Sequence, residues 1–215
     1  MKTAESLTMK EGIVPQPVLL LAPGAGAPSS SPWMRHWTKL LASIGVVRNF
    51  DYPYMSEGRR RPDPLPKLIA FHREALHQLR LSHSGPAILI GKSMGSRIGC
   101  HVALNDEVEA VVCLGYPLCG GGDPAKLRDQ VLLELSKPIL FIQGTRDPLC
   151  PLIILDKVRA RMGAPNELYV VEGSDHSLHL TKRQLSAYGE TQDNVDQQIL
   201  QRIRTFVDES AARGT

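Results

Sequence analysis

No stretch of this 215-residue chain comes near the roughly eighteen uninterrupted apolar residues that a membrane-spanning helix needs. Its start, Met1-Lys2-Thr3-Ala4-Glu5-Ser6, has no apolar region of the kind a secretory signal carries. These two absences set the expectation of an intracellular protein, cytoplasmic in the first instance and nuclear in the second, with no membrane partner. Close cysteine pairs are missing too. Cys100, Cys113, Cys119 and Cys150 lack the spacing of a zinc ligand set, and a reducing compartment would keep them as thiols, so neither a metal nor a structural disulfide is expected. An excess of one charge sign is also absent. With 25 Lys and Arg against 22 Asp and Glu, and the two signs interspersed, a net charge of +3 argues against a nucleic-acid partner. No repeat or low-complexity segment interrupts the chain, and nothing in it calls for a cofactor.

What is present is 42% hydrophobic residues in short runs, enough for one substantial core. A single domain over residues 1–215 is expected, with residues 1–17 as a flexible or loosely packed lead-in. Six runs read as strands: Val18 to Leu21, Val46 to Phe50, Ala87 to Ile90, Ala110 to Leu114, Ile139 to Ile142 and Leu168 to Val171. Their continuous apolar character suits strands buried on both faces. Segments of helical period alternate with them. Ser31-Pro32 is a helix start, followed by Trp33, Trp37, Leu40 and Leu41, and Leu68, Phe71, Ala75, Leu76 and Leu79 repeat the pattern. Further helices are expected over Ser96 to Leu104, Ala125 to Leu135, Leu152 to Met162 and from Thr191 through Val207, with Arg61 to Pro66 as a loop. The alternation predicts an α/β fold, with about six mostly parallel strands in a doubly wound sheet and helices on both faces.

Gly91-Lys92-Ser93-Met94-Gly95 directly follows the third run. A serine on a sharp turn between a buried strand and a helix needs small residues two positions away on each side, and Gly91 and Gly95 supply them. A serine hydroxyl is a poor nucleophile unless a base takes its proton and an acid orients that base. Asp147 follows the fifth run and His176 the sixth. All three therefore fall at the carboxyl ends of parallel strands, the edge where open α/β sheets place their sites. Singly, a loop Asp before Pro reads as a turn or cap, and a loop His as an exposed polar residue. Their order and placement favour catalysis, with His179 as the spare base and Asp123 and Asp175 as substitute acids. Backbone N–H groups of Met94, at the head of the next helix, and of Ala25, in Pro23-Gly24-Ala25-Gly26-Ala27-Pro28, are candidates for an oxyanion hole.

Candidate substrate contacts are Gly26 in that loop, Lys92 beside the elbow, Tyr116 beyond the fourth run, Cys150 beyond the fifth, and Arg59 in the run Arg59-Arg60-Arg61. Each has a plainer reading. Lys92 and Arg97 could equally be packing or surface residues, the cysteines small buried groups, and the arginines a solvated face. If the arginines overhang the site, they would favour acidic acyl or phosphate-bearing substrates.

The elbow and the order Ser, Asp, His resemble the α/β-hydrolase superfamily across nearly the whole chain, from Val18 to the last helix. More narrowly, Gly24 to Pro28, Phe50-Asp51-Tyr52-Pro53-Tyr54, Gly91 to Arg97 and Cys113-Leu114-Gly115-Tyr116-Pro117-Leu118 look like its small testis-expressed hydrolase-like branch. That branch includes a chromatin-complex subunit and similar plant members, and membership implies a dienelactone-hydrolase-like core. With residues 1–17 ahead of the first run, the two strands that open the larger superfamily core are expected to be absent. Pro23 stands where a histidine often opens the oxyanion loop, and no long insertion follows the fourth run, so no lid is expected. The expected function is a serine hydrolase of small carboxylic esters or thioesters acting through an acyl-serine, as a monomer or weak dimer. The alternative is a non-catalytic interaction or ligand-sensing module with a protein partner, built on the same fold.

Overall fold

The apolar runs alternate in the face they present, and this determines the layering. Val18, Leu20, Ala87, Leu89, Val111 and Cys113 pack into one core, while Leu19, Leu21, Ile88, Ile90, Ala110 and Val112 pack into another on the opposite face. Such strands need cover on both sides, and two layers of helix supply it. The computed structural model describes residues 16–213. Its strands are β1 (Val18–Ala22), β2 (Val46–Asn49), β3 (Ala87–Lys92), β4 (Ala110–Leu114), β5 (Ile139–Gly144) and β6 (Asn166–Val171). They form one six-stranded sheet in the order β2-β1-β3-β4-β5-β6, and every neighbouring pair is parallel. The expected doubly wound α/β architecture is therefore the observed one.

The helices are α1 (Pro32–Leu41), α2 (Pro53–Ser56), α3 (Leu65–Ser82), α4 (Met94–Ala103), α5 (Gln130–Glu134), α6 (Leu152–Arg159), α7 (Lys182–Tyr188) and α8 (Gln192–Arg213). Buried residues of α3, α4, α5 and α6 join the first core and those of α1 and α8 the second. None of the described helices is long and apolar enough to cross a membrane.

Several boundaries differ from the sequence reading. Only Gln130–Glu134 of the expected Ala125 to Leu135 helix is helical. The preceding residues instead make a single 3-10 turn at Gly120–Gly122, a turn in which the Ala125 N–H donates to Asp123 Oδ1, and a bridge between Cys119 and Leu127, with Pro124 interrupting any longer helix. Leu65 and Pro66 belong to α3 rather than to a loop, because proline is well suited to a first helical turn whose N–H groups have no partner. α2 and α7 were not foreseen. The expected lead-in at residues 1–17 lies almost wholly outside the described residues.

The chain runs from β1 outward to β2, then crosses back to build β3 through β6 on the other side. The sheet order reverses between β1 and β3, and the crevice at such a reversal is where α/β sheets bind ligands. The loop after β1 and the turn after β3 meet there.

Candidate active site

Ser93 is the single residue between β3 and α4, with φ 49° and ψ −114°. A side-chain-bearing residue in that region costs about 1–3 kcal/mol and persists only where its surroundings enforce it. The enforcement is steric. A methyl group at Gly91 would stand 2.1 Å from the Ser96 N, and one at Gly95 would stand 2.6 Å from both the Ala22 and Pro23 carbonyl oxygens. Only glycines allow helix, strand and the loop after β1 to approach this closely. The Ser93 carbonyl then accepts from the Ser96 and Arg97 N–H groups, starting α4.

The partners arrive from two later strand ends. His176 Nε2 lies 2.7 Å from Ser93 Oγ, and its Nδ1 lies 2.6 Å from Asp147 Oδ2. Asp147 is buried between β5 and α6, where its second oxygen accepts from the Leu149 N–H at 2.8 Å. Gln143, the penultimate residue of β5, donates its Nε2 to Asp147 Oδ2 at 2.5 Å while its Oε1 accepts from the Tyr116 N–H. His176 sits on a tight turn, where Asp175 Oδ1 accepts from the Ser177 and His179 N–H groups and the Asp175 N–H donates to the His179 carbonyl.

The spare candidates are otherwise engaged. Asp175 braces that turn, and Asp123 accepts from the Ala125 N–H and pairs with Lys126. His179 lies along the cleft wall, but Ser93 Oγ has His176 as its partner.

Met94 N–H is at the first position of α4, where helix geometry leaves it without an internal acceptor. Ala25 belongs to the facing loop, which is tied down at two points. The Asp51 Oδ1 accepts from the Ser29 N–H at 2.6 Å, and the Tyr54 hydroxyl donates to the Ala25 carbonyl at 2.9 Å. These contacts give the Phe50 to Tyr54 motif a physical purpose: it anchors the loop opposite the nucleophile.

A cleft of about 430 Å³ opens beside Ser93. Ala25, Ala27, Trp33, Met34 and Leu149 make its walls largely apolar, and Gly26, Lys92 and His176 also border it. Lys92 donates its Nζ to the His176 carbonyl and lies 5.1 Å from the centroid of the Trp33 ring. A groove of about 510 Å³ between α3 and residues 105–107 is larger, but it contains none of these groups.

Three of the expected substrate contacts lie elsewhere. Tyr116 is fully buried, donates its hydroxyl to the Arg128 carbonyl and packs edge-on against Phe141. Cys150 is fully buried in the first core, where loss of solvent pushes its thiol far above the usual range. Arg59 borders a separate cleft on the far side of the Ala25 loop and is paired with Glu57 and Asp63, so it does not reach Ser93. In each case the residue follows the right strand, but its side chain has better partners away from the crevice. Conversely, the sequence reading passed over Gln143 and Trp33. Gln143 left a signal, an amide closing an otherwise apolar strand four residues before Asp147. Trp33 was read only as a core residue of α1.

A family model for the alpha/beta hydrolase domain matches residues 15–208. The chain belongs to the alpha/beta hydrolase family. Solved structures agree on the fold of this hydrolase domain. An alpha-beta serine hydrolase homologue from Coxiella burnetii is 19% identical, with a TM-score of 0.66, covering 79% of this chain and 81% of that one. Est1E from Butyrivibrio proteoclasticus, in a structure with bound ferulic acid, is 15% identical with a TM-score of 0.65, covering 87% and 89%. A dienelactone hydrolase from Anabaena variabilis is 18% identical with a TM-score of 0.63, covering 91% and 87%. The narrower testis-expressed branch rests on the four sequence motifs alone.

Proposed function

We propose that this hydrolase-fold protein is a serine hydrolase that cleaves small carboxylic esters or thioesters through an acyl-Ser93 intermediate. The observation that carries the reading is the continuous hydrogen-bonded line from Ser93 Oγ through both nitrogens of His176 to Asp147. In the first half-reaction Ser93 Oγ attacks the carbonyl carbon and His176 Nε2 takes the hydroxyl proton. The carbonyl oxygen becomes an oxyanion, which the N–H groups of Met94 and Ala25 stabilise. As the tetrahedral intermediate collapses, His176 returns the proton to the departing alcohol or thiol. Water, deprotonated by His176, then releases the acid and restores Ser93. Asp147 fixes the ring so that Nε2 faces the serine, and Gln143 and the Leu149 N–H fix Asp147. No metal or cofactor takes part in this scheme.

The cleft volume favours short acyl groups, and its apolar walls favour their hydrocarbon parts. A fluorophosphonate probe should label the wild-type protein at Ser93 and leave Ser93→Ala unlabelled, with short-chain ester turnover falling at least a thousandfold in the variant, in keeping with loss of a triad nucleophile. Folded wild-type protein that takes no label and turns over no short ester would overturn the reading and favour a non-catalytic module.

A further inference from the structure

The Ser93 cleft contains a cation, Lys92, that has no direct ion pair among the described residues. An ammonium has three N–H donors, and Lys92 uses one on the His176 carbonyl while its charge faces the Trp33 ring. Among the described residues no carboxylate forms an ion pair with it. Asp147 and Asp175 act on it only at longer range, and both accept other hydrogen bonds. Asp147 accepts from Gln143, the Leu149 N–H and His176, and Asp175 accepts from the Ser177 and His179 N–H groups. Arg59, by contrast, has Glu57 and Asp63. A largely buried cation without a direct ion pair is expensive, and a ligand that brings an anion within contact offsets that cost on binding.

We propose that the Lys92 ammonium is a specificity determinant which pairs with a carboxylate on the ester or thioester cleaved at Ser93. The inference rests on the serine-hydrolase reading and names its substrate class: short acyl esters bearing a free acid. A single ammonium in a largely apolar cleft matches a monoanion, whereas a doubly charged phosphate would call for further cationic donors. Lys92 and Ser93 border the same cleft and Lys92 bonds the His176 carbonyl, so the acid it reads belongs to the same small substrate as the carbonyl under attack. The Ala25 and Ala27 walls receive the intervening hydrocarbon.

Lys92 titrates within reach of experiment. Burial draws its pKa down to about 8, against the opposing pull of Asp147 and Asp175. The titratable groups facing it are Asp147 from the loop after β5 and Asp175, His176 and His179 from the loop after β6. The facing residues of α1 and of the loop after β1 carry none. The cation is therefore present below about pH 8 and lost as pH rises through it.

The test compares kcat/KM of the full chain for a 4-nitrophenyl ester whose acyl chain ends in a carboxylate and for its carboxamide counterpart of equal length. Wild type should prefer the acid about tenfold at pH 7, a charge-assisted hydrogen bond's worth. That preference should fall toward one between pH 7 and pH 9. Lys92→Met should abolish it at pH 7 and Lys92→Arg should keep part of it. The ratio cancels any general loss from the missing contact to the His176 carbonyl. If Lys92→Met fails to fold, Lys92→Arg and the wild-type pH series decide. Equal rates on both esters, an unchanged preference in Lys92→Met, or a stronger preference for a phosphate-terminated ester would each overturn the assignment. Fluorophosphonate labelling separates the two levels: Ser93 labelled without acid preference sinks only this inference, and Ser93 unlabelled with neither ester cleaved sinks the hydrolase reading beneath it.

Discussion

Ser93, His176 and Asp147 do the proposed chemistry, but their alignment depends on residues that never touch substrate. Tyr54 is one. Its hydroxyl donates to the Ala25 carbonyl and so pins the loop that carries the proposed oxyanion donor, the Ala25 N–H. Burial, reinforced by the negative charges of Asp63 and Asp51, pushes the phenol up to about 12, which keeps it a donor at any working pH. Tyr54→Phe retains the ring and removes this tether. Losing an oxyanion donor outright costs on the order of 10²–10³ in rate. A donor that is loosened rather than deleted should cost less, about tenfold in kcat, with KM for a short ester little changed. Steady-state kinetics on the purified variant distinguish this from a binding role, in which KM would rise and kcat would hold. Gln143 acts in the same manner on the acid, because it is one of two groups besides His176 that hold Asp147 in place.

At the scale of elements, α3 is anchored against α4 and the Tyr52 ring by a histidine whose burial strongly disfavours its charged form. His72 is fully buried, its Nδ1 is 3.1 Å from the Tyr52 hydroxyl, and its Nε2 has no hydrogen-bond partner among the described residues. Desolvation lowers its pKa from 6.5 to about 3. The unfolded chain therefore binds a proton that the folded chain refuses, and stability is complete above about pH 6.5 and declines as pH falls toward 3. The slope from this one group is at most about 1.4 kcal/mol per pH unit. Urea unfolding at pH 7.5, 6 and 5 should reveal it, and His72→Gln, which still offers Tyr52 a partner, should flatten the curve. A variant whose pH dependence matches wild type would place the effect elsewhere.

The same elements show what sequence can and cannot disclose. The inner strands β1, β3, β4 and β5 were legible because burial on both faces makes each a largely apolar run, and Ala110 to Leu114 was read to the residue. The edge strands β2 and β6 are only partly buried and showed through their shorter apolar stretches. Asp147 and His176 could be singled out because the parallel topology forces every strand's carboxyl end to one edge. α7 was missed because it buries no residue and so lacks an apolar stripe; a capping box from Thr181 and Gln184 holds it instead. The failed expectations for Tyr116, Cys150 and Arg59 share another cause. Strand position fixes which edge a residue occupies, but only packing decides whether its side chain turns toward the crevice or toward Phe141, the core or Asp63. The same limit hid that Lys92 turns into the cleft with no direct ion pair among the described residues, bonding the His176 carbonyl instead.

For the molecule as a whole, the site is assembled from strand ends that a single helix helps to hold. The loops that carry Asp147 and His176 follow β5 and β6, and α8 packs across β4, β5 and β6. Ile199, Ile203, Phe206 and Val207 of α8 fill the second core, and the buried Asp196 joins it to α1 through His36 at 2.7 Å. Phe206 is almost fully enclosed and does not border the cleft. Replacing it by alanine leaves a void under the sheet, at a cost of about 3–5 kcal/mol. For a domain of this size that corresponds to a fall of roughly 10 °C in Tm. In a two-state unfolding the loss is global. At 20 °C, kcat per fluorophosphonate-titrated site should stay within about twofold of wild type, since fewer molecules survive heating but each folded one keeps its aligned triad. Thermal melts paired with active-site titration test the two halves separately. A kcat that collapsed while Tm held would mean that α8 controls the geometry of the His176 and Asp147 loops and not merely their support.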